Sequence, residues 1–532
     1  MNKELKSINM EDRTERSYLA RTTCNLETLN WFIPDTESIV RVAIIQNPLF
    51  NREIYEKLNC NEYVIKKELL KLNFLTVSEK QQLQKEIDES NDKNKILDGF
   101  CTIPWNHLSI MTNGDIRMCC QMISGTFGKL GINVNENKDL ETIRNSSRLN
   151  LIRKQMLQGT KPKLCNLCWI EEENNIKSKR LDQNSIYSDI FEKALQYTNK
   201  NGSIDVKKFP LKYLDLRLGN KCNLACRSCG PTDSSNWYED SYQLSESKQI
   251  NYYGDKVYKL EIKDGKVTID TDDFNWPKKT NFLEQVLDNV KHIDRLYFTG
   301  GEPTLNMPHV FFLEELVKRN IGKNIYLEYN SNGTTISNNI LNLWKNFNGI
   351  GVGFSVDGTL KRFEYLRYPG KWNKFLKTIN MIDKNFKDFK KLEVQLAPTI
   401  SIFNIIHLLD MYNFVFKETP DWFLKYIPVH VLEGPDYMCA KIIPQTGKEK
   451  INLTYSNYIK NIDSLLDNSN IKNKKYKQEA IESLNNIQTY LKNNVEKRDE
   501  LLNTFYTKTE ILDKVRKQDW KKTFPELVEI LK

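Results

Sequence analysis

The sequence predicts an α/β protein centred on a partial (β/α)6 barrel, with helical regions at both ends. Three observations lead there. From Leu211 onward, short apolar runs rich in β-formers alternate with helical stretches, which is the pattern of parallel βα units. Six such runs occur, at Tyr213–Leu218, His292–Phe298, Ile325–Asn330, Gly351–Val356, Leu392–Ile400 and Phe423–Val429, enough for an open, TIM-like barrel. Seven of the eleven cysteines stand in spacings that suit metal ligation, three of them directly after the first of those runs.

Along the chain, residues 1–98 carry short amphipathic patterns. Val42, Ala43 and Ile44 lead to Asn47-Pro48 and then to Ile54 and Leu58 at helical spacing; Leu19-Ala20, Asn25, Leu29 and Phe32 form a weaker copy. A period of roughly 22–26 residues resembles degenerate helix-pair repeats, and a simple helical bundle explains the pattern equally well. Residues 99–185 form a cysteine-bearing segment. Residues 186–210 begin helical at Ile190, Ala194 and Leu195 and break at Asn199-Lys200-Asn201-Gly202, as a linker does. Residues 211–431 are the barrel, with helices such as Phe311–Lys318 and Phe375–Lys384 between the strands. A large insertion spans about residues 233–290; within it Val257–Lys263 and Lys266–Asp270 flank Asp264-Gly265, a dipeptide that suits a tight hairpin turn. Residues 432–532 read as helical, with Leu465, Ile481, Leu484, Ile487 and Leu491 as core candidates.

Composition narrows the setting. The chain of 532 residues is 39% hydrophobic and 28% charged, which suits a soluble protein able to bury a core. No stretch reaches the roughly 18 apolar residues a membrane span needs. Met1–Arg16 is polar and lacks the apolar segment of a secretory signal, so the cytoplasm is the expected location. The net charge of +9 comes mostly from lysines scattered among glutamates; no long basic run or stacked-aromatic module points to nucleic acid. An odd number of cysteines without a signal argues against a disulfide framework. Cys24, Cys60, Cys120 and Cys439 fall outside the metal-like spacings and are expected to be ordinary buried thiols.

The central motif runs Leu218-Gly219-Asn220-Lys221-Cys222-Asn223-Leu224-Ala225-Cys226-Arg227-Ser228-Cys229-Gly230. Three thiolates at Cys-x3-Cys-x2-Cys spacing suit three irons of a cubane cluster and leave the fourth iron without a protein ligand. Structural zinc takes four protein ligands, and no histidine occurs between His107 and His292 to supply a fourth. The motif resembles the signature of the radical S-adenosylmethionine (radical SAM) superfamily, which places it after the first barrel strand. Later segments match in order. Phe298-Thr299-Gly300-Gly301-Glu302-Pro303 resembles the family's GGEP loop, Tyr329-Asn330-Ser331-Asn332-Gly333 its TNG segment, and Phe354-Ser355-Val356-Asp357-Gly358 its SxDG segment, followed by Tyr365-Leu366-Arg367-Tyr368-Pro369-Gly370. The resemblance, over about 211–431, implies one [4Fe–4S] cluster on Cys222, Cys226 and Cys229. It also implies S-adenosyl-L-methionine (SAM) bound by Gly300, Gly301, Glu302 and Asn332, with Ser355 and Arg367 on its carboxylate. One departure is Ser228: many members carry an aromatic residue there, so the adenine contact falls to backbone or another side chain.

A second constellation precedes the barrel: Cys101, Pro104-Trp105, Gly114, Cys119, and then Cys165-Asn166-Leu167-Cys168. Leu149, Ile152 and Met156 between the halves fit one helix face. The pattern resembles the auxiliary-cluster domains (SPASM and the shorter twitch type) of radical SAM enzymes. It implies a second [4Fe–4S] cluster on Cys101, Cys119, Cys165 and Cys168, with Cys119 rather than Cys120 meeting the Gly-x4-Cys spacing. Tetrahedral zinc on the same four thiols stays open on the residues alone. In many members this domain follows the barrel; here it precedes it.

The resemblance implies an enzyme that cleaves SAM reductively and abstracts hydrogen from a substrate. It needs a low-potential electron donor, and its substrate is expected to be a peptide or protein. A small metabolite or nucleotide is the alternative, and a non-catalytic iron–sulfur or zinc scaffold a third.

Overall fold

The computed structural model describes the chain apart from residues 1–3, 6–12, 36, 59–62, 90–91, 123–129, 174–176, 253–255, 387–388, 390, 429, 433, 465–470 and 494. The strands are β1 (His107–Ile110), β2 (Ile116–Arg117), β3 (Tyr213–Leu216), β4 (Gln249–Tyr252), β5 (Lys256–Lys263), β6 (Lys266–Ile269), β7 (Arg295–Phe298), β8 (Tyr326–Ser331), β9 (Gly349–Phe354), β10 (Leu392–Leu396), β11 (Thr399–Ile400) and β12 (His430–Val431). Seven of them form one sheet in the order β10-β9-β8-β7-β3-β1-β2. Every neighbouring pair is parallel except the β1–β2 hairpin.

The register explains why these runs pair. Leu216, Phe298, Tyr329, Val352 and Val394 line up across five strands, and all are almost fully buried. Helices Met307–Lys318, Asn338–Trp344 and Trp372–Phe386 cover this face with Phe312, Leu313, Leu316, Trp344, Phe375 and Ile382. Side chains alternate along a strand, so the next row (Asp215, Tyr297, Glu328, Gly351, Glu393) occupies the other face and is polar.

Two sequence expectations fail at prolines. Leu392–Ile400 is not one strand: Ala397-Pro398 separates β10 from β11. Phe423–Val429 is not a barrel strand: Phe423 makes an isolated parallel bridge to Val394, and β12, beyond Pro428, pairs with β11 in a separate two-stranded sheet. Proline has no N–H for a ladder, so pairing stops there. Val429 lies outside the described residues. A parallel strand comes instead from the cysteine-bearing segment, as β1 beside β3. The segment of residues 99–185 therefore shares the main sheet.

The expected linker 186–210 is packed. Helix Ile190–Tyr197 buries Ile190, Phe191 and Ala194, and Thr198 bridges to Ile204. In the insertion, β5 and β6 pair around Asp264-Gly265, both residues with positive φ (51° and 73°), and β4 completes a three-stranded antiparallel sheet. Near the C-terminus, helix Ile471–Leu491 buries Leu484, Ile487 and Leu491 and half-buries Ile481; Leu465 lies outside the described residues.

The chain divides into two compact units, one comprising Met1–Phe100, Gln158–Thr160 and Asp467–Gln478, the other the remainder. Within the first, short helices include Arg13–Thr22, Leu26–Trp31, Ser38–Ile45 and Arg52–Lys57 around a core containing Leu19, Leu29, Phe32, Ala43, Ile44, Ile54 and Leu58. Asn25 and Asn51 cap the second and fourth of these helices, and buried Asn47 donates from Nδ2 to the carbonyls of Ala20, Arg21 and Thr23. Among the described residues no helix is long and apolar enough to cross a membrane.

Candidate functional site

At the carboxyl end of β3 the chain turns at Gly219 (φ +96°), where an added Cβ would meet the Phe274 carbonyl at 2.6 Å. Buried Asn220 donates from Nδ2 to the Pro231 carbonyl (3.0 Å) and the Tyr238 hydroxyl (2.7 Å), closing the loop that bears the cysteines. That loop lies along segment 366–368: Ala225 N–H donates to Tyr368 O at 2.6 Å and Arg227 N–H to Leu366 O at 2.9 Å. The Trp237 indole N–H donates to Cys226 O at 2.9 Å.

Cys222, Cys226 and Cys229 line a single cavity of about 210 Å³. Its other walls include Gly300, Gly301, Glu302, Asn332, Ser355 and Arg367, so all six residues expected to contact the cofactor meet the three thiols there. All but Arg367 arrive from the carboxyl ends of β3, β7, β8 and β9, the side on which barrel active sites form, and Arg367 comes from the C-terminus of helix Leu360–Leu366. The two glycines permit this convergence. Gly301 has φ +58°, and a Cβ on it would stand 2.4 Å from the Lys221 carbonyl, the residue before Cys222. In that space Gly301 N–H bonds Asp233 O at 3.0 Å and Glu302 N–H bonds Lys221 O at 2.8 Å. Gly300 (φ +76°) lies against Arg217 and Thr112, 2.6 and 2.9 Å from where its Cβ would be.

Each polar wall has its own support. Burial raises the Glu302 carboxyl's pKa, while Asn332 N–H (2.7 Å), the Thr304 hydroxyl (2.7 Å) and the Ser331 hydroxyl (2.9 Å) donate to its oxygens. Ser331, at the position the family fills with threonine, thus ties β8 to the glycine loop. Asn332 donates from Nδ2 to Asn223 Oδ1 at 2.8 Å, joining β8 to the cysteine loop. Arg367 is buried, pairs through Nε with Asp357 Oδ2 at 2.7 Å, and places Nη1 3.6 Å from Cys226 Sγ. Asp357 also accepts Thr399 N–H at 2.8 Å. Its role in aiming Arg367 was missed in the sequence, although it sits inside the SxDG segment. Cys226 is drawn down to about 7, first by its hydrogen bond with Cys229 and, against burial, by Arg367. Burial pushes Cys222 up to about 12.

The second constellation also closes. Cys101, Cys119, Cys165 and Cys168 line one narrow cavity with Ile103, Met118, Gln121, Met122 and Arg180. The β1–β2 hairpin brings Cys119 there. Gly114 makes its turn with φ +84°, where a Cβ would strike Val134 Cγ2 at 2.6 Å, so the glycine of the Gly-x4-Cys pattern is a turn requirement. Helix Ser147–Leu157 buries Leu149, Ile152 and Met156 as expected, and helix Asn166–Glu173 carries Cys168. Burial raises the Cys101 thiol to about 12 and shifts Cys165 and Cys168 upward. Cys120 is absent from this cavity; its Sγ lies 3.1 Å from Lys179 Nζ. Of the thiols expected to be ordinary and buried, Cys439 is buried, Cys120 half-buried, Cys24 exposed, and Cys60 outside the described residues. Cys24 lies just after helix Arg13–Thr22, in the short connection to the next helix.

Among the described residues no three His, Cys, Asp or Glu side chains converge as a single-ion site requires. Each set of thiols instead rings a cavity. A cubane, whose irons each take a separate thiolate, suits that donor set.

Comparison with known proteins agrees. The family model described as "Radical SAM superfamily" matches residues 216–414, and the one described as "Iron-sulfur cluster-binding domain" (SPASM) matches residues 101–169. No curated protein matches the chain. Among solved structures, Streptococcus suis SuiB bound to precursor peptide SuiA is 16% identical, with a TM-score of 0.29, covering 64% of this chain and 66% of that one. SuiB bound to S-adenosylmethionine is 14% identical with a TM-score of 0.28, covering 67% and 68%. This chain therefore spans just under two thirds of the first of these.

Proposed function

Given that this chain is a radical SAM enzyme with a SPASM/twitch-type auxiliary-cluster segment, we propose that it cleaves SAM reductively at the Cys222/Cys226/Cys229 cavity and uses the radical to abstract hydrogen from a peptide or protein. The observation that carries the reading is the convergence of three thiols with Gly300, Gly301, Glu302, Asn332, Ser355 and Arg367 around one cavity at strand carboxyl ends.

The three thiols would hold a [4Fe–4S] cluster. Bound there together with SAM, such a cluster would supply one-electron reduction of the sulfonium, the chemistry that yields a 5′-deoxyadenosyl radical. The chain's own residues bind and orient. The Arg367 guanidinium, aimed by Asp357, presents cationic N–H groups for the methionine carboxylate. Ser355 offers a second hydroxyl contact to it. Glu302, with its carboxylate held by β8 donors, and the open backbone at Gly300-Gly301 receive the amino group. Cys101, Cys119, Cys165 and Cys168 would hold the auxiliary cluster; four thiolates leave it closed to substrate, so its assigned role is electron transfer. A low-potential donor delivers the electron. The match to the SPASM family favours a peptide over a metabolite, since peptide and protein modification is frequent among SPASM-type enzymes.

Anaerobic reconstitution tests the reading. Wild type should take up about eight irons per chain and, with dithionite, release 5′-deoxyadenosine from SAM. Cys222→Ser should abolish that release. Iron uptake without SAM cleavage overturns the proposal. For the auxiliary site, Cys165→Ser should lower product yield while leaving SAM cleavage intact; full yield would rule out electron transfer there.

A further inference from the structure

The segment between the second and third cysteines is held from a distant part of the chain. Arg227 sends its side chain away from the cavity, and its guanidinium is buried. There it pairs with Asp513 of helix Arg498–Arg516 through Nη2, donates from Nη2 to Gln518 Oε1 at 3.1 Å, and lies 3.9 Å above the Tyr365 ring. Asp513 is itself fixed: Tyr365 O–H donates to Oδ1 at 2.8 Å and Trp520 N–H to Oδ2 at 2.7 Å. The same helix reaches the loop a second time. Arg516 pairs with Asp240 (2.7 and 2.9 Å) and lies 4.5 Å above the Trp237 ring, whose N–H bonds Cys226 O. No spacing in the sequence links Arg227 to Asp513.

Resting on the function proposed above, we propose that Arg227 and Asp513 form a positioning and charge-setting clamp through which helix Arg498–Arg516 holds the cysteine loop and sets the reduction potential of the cluster on it. The physical basis is Coulombic. Reduction adds one negative charge to the cluster, and charges in a buried, weakly polarisable surrounding act over longer distances than in water. A cation tethered beside Cys226 favours the added electron; an anion opposes it. Cluster potentials respond to such local charge. In the intact pair the two effects largely cancel. Removing the anion alone should raise the potential, and removing the cation alone should lower it. A purely structural strut has no reason to produce shifts of opposite sign.

The experiment is an EPR-monitored redox titration of the reconstituted full-length enzyme, with iron counted in every sample. The relevant signal is the one that changes on adding SAM and disappears in Cys222→Ser. Asp513→Asn should shift its midpoint upward and Arg227→Met downward, with the double variant returning toward wild type and Arg227→Lys close to it. Should Arg227→Met lose iron, Tyr365→Phe replaces it; removing the hydroxyl donor from Asp513 exposes more of the carboxylate charge and should also shift the midpoint downward. Shifts of one sign, no shifts in iron-replete variants, or loss of iron from Asp513→Asn, Arg227→Met and Tyr365→Phe alike would overturn the clamp's electrostatic role. Absence of any SAM-responsive signal in wild type would instead overturn the proposed function.

Discussion

At the scale of single residues, the site depends on positions where backbone must approach backbone. Gly301 is the sharpest case. A side chain there faces both a left-handed φ, costing on the order of 1–3 kcal/mol, and the Lys221 carbonyl at 2.4 Å. The cysteine loop has to move to admit it. Gly301→Ala should therefore lose the cluster on that loop while keeping the auxiliary one, so iron falls to about four per chain and SAM cleavage stops. Iron counting and 5′-deoxyadenosine release check both halves. Asp357 works differently. It leaves the cavity wall to Arg367 and holds that guanidinium in place, a contribution that a motif search credits to the arginine alone.

At the scale of elements, the segment that follows β2 gives two adjacent cysteines different surroundings. Cys119 lines the cavity of the other three auxiliary thiols, whereas Cys120 does not and has its Sγ 3.1 Å from Lys179 Nζ. Cys119→Ser should cut iron to about half; Cys120→Ser should leave it unchanged. The two iron contents, measured side by side, decide the assignment. Helix Met307–Lys318 makes a different prediction. His309 is fully buried between Phe298 and Tyr329, with Nε2 3.0 Å from the tyrosine hydroxyl, and desolvation depresses its pKa to about 3. Its folded value lies below its unfolded one, near 6.5. The unfolded chain thus takes up the proton first, and stability is lost as pH falls below about 6.5. Between pH 6.5 and 5.5 the loss should be about 1 kcal/mol for this group. Buried His107 is lowered for the same reason and adds to it. His309→Gln should flatten the decline, as read from urea midpoints at the two pH values.

At the scale of the molecule, the chain holds two compact units, each with its own buried core. Separate cores imply separate cooperative transitions. Ile44 is fully buried in the first unit, and truncation of such a side chain costs about 2–5 kcal/mol. Ile44→Ala should shift one urea transition and leave the other, which carries the sheet and both cysteine sites, in place. A single coincident transition moved as a whole would count against two independently cooperative units.

Local signals account for much of the site. Cysteine spacing, glycine pairs at strand ends and the order of short segments depend on neighbours in the chain, and they located the seven thiols and the six cofactor-contact candidates found in the walls of the two cavities, though not the other wall residues such as Arg217, Gln121 and Arg180. The same reach explains the strands β3, β7, β8 and β9, the Asp264-Gly265 turn and the helix that buries Leu149, Ile152 and Met156. Only tertiary structure decided the rest. Whether β1 joins β3, whether Phe423 continues the sheet, and which carboxylate meets Arg227 are settled by pairings across long stretches of chain. Alternation of polar and apolar residues states that a strand is buried, without naming its neighbour. An ion pair leaves no period in the sequence at all, because two side chains that meet in space owe nothing to their separation along the backbone.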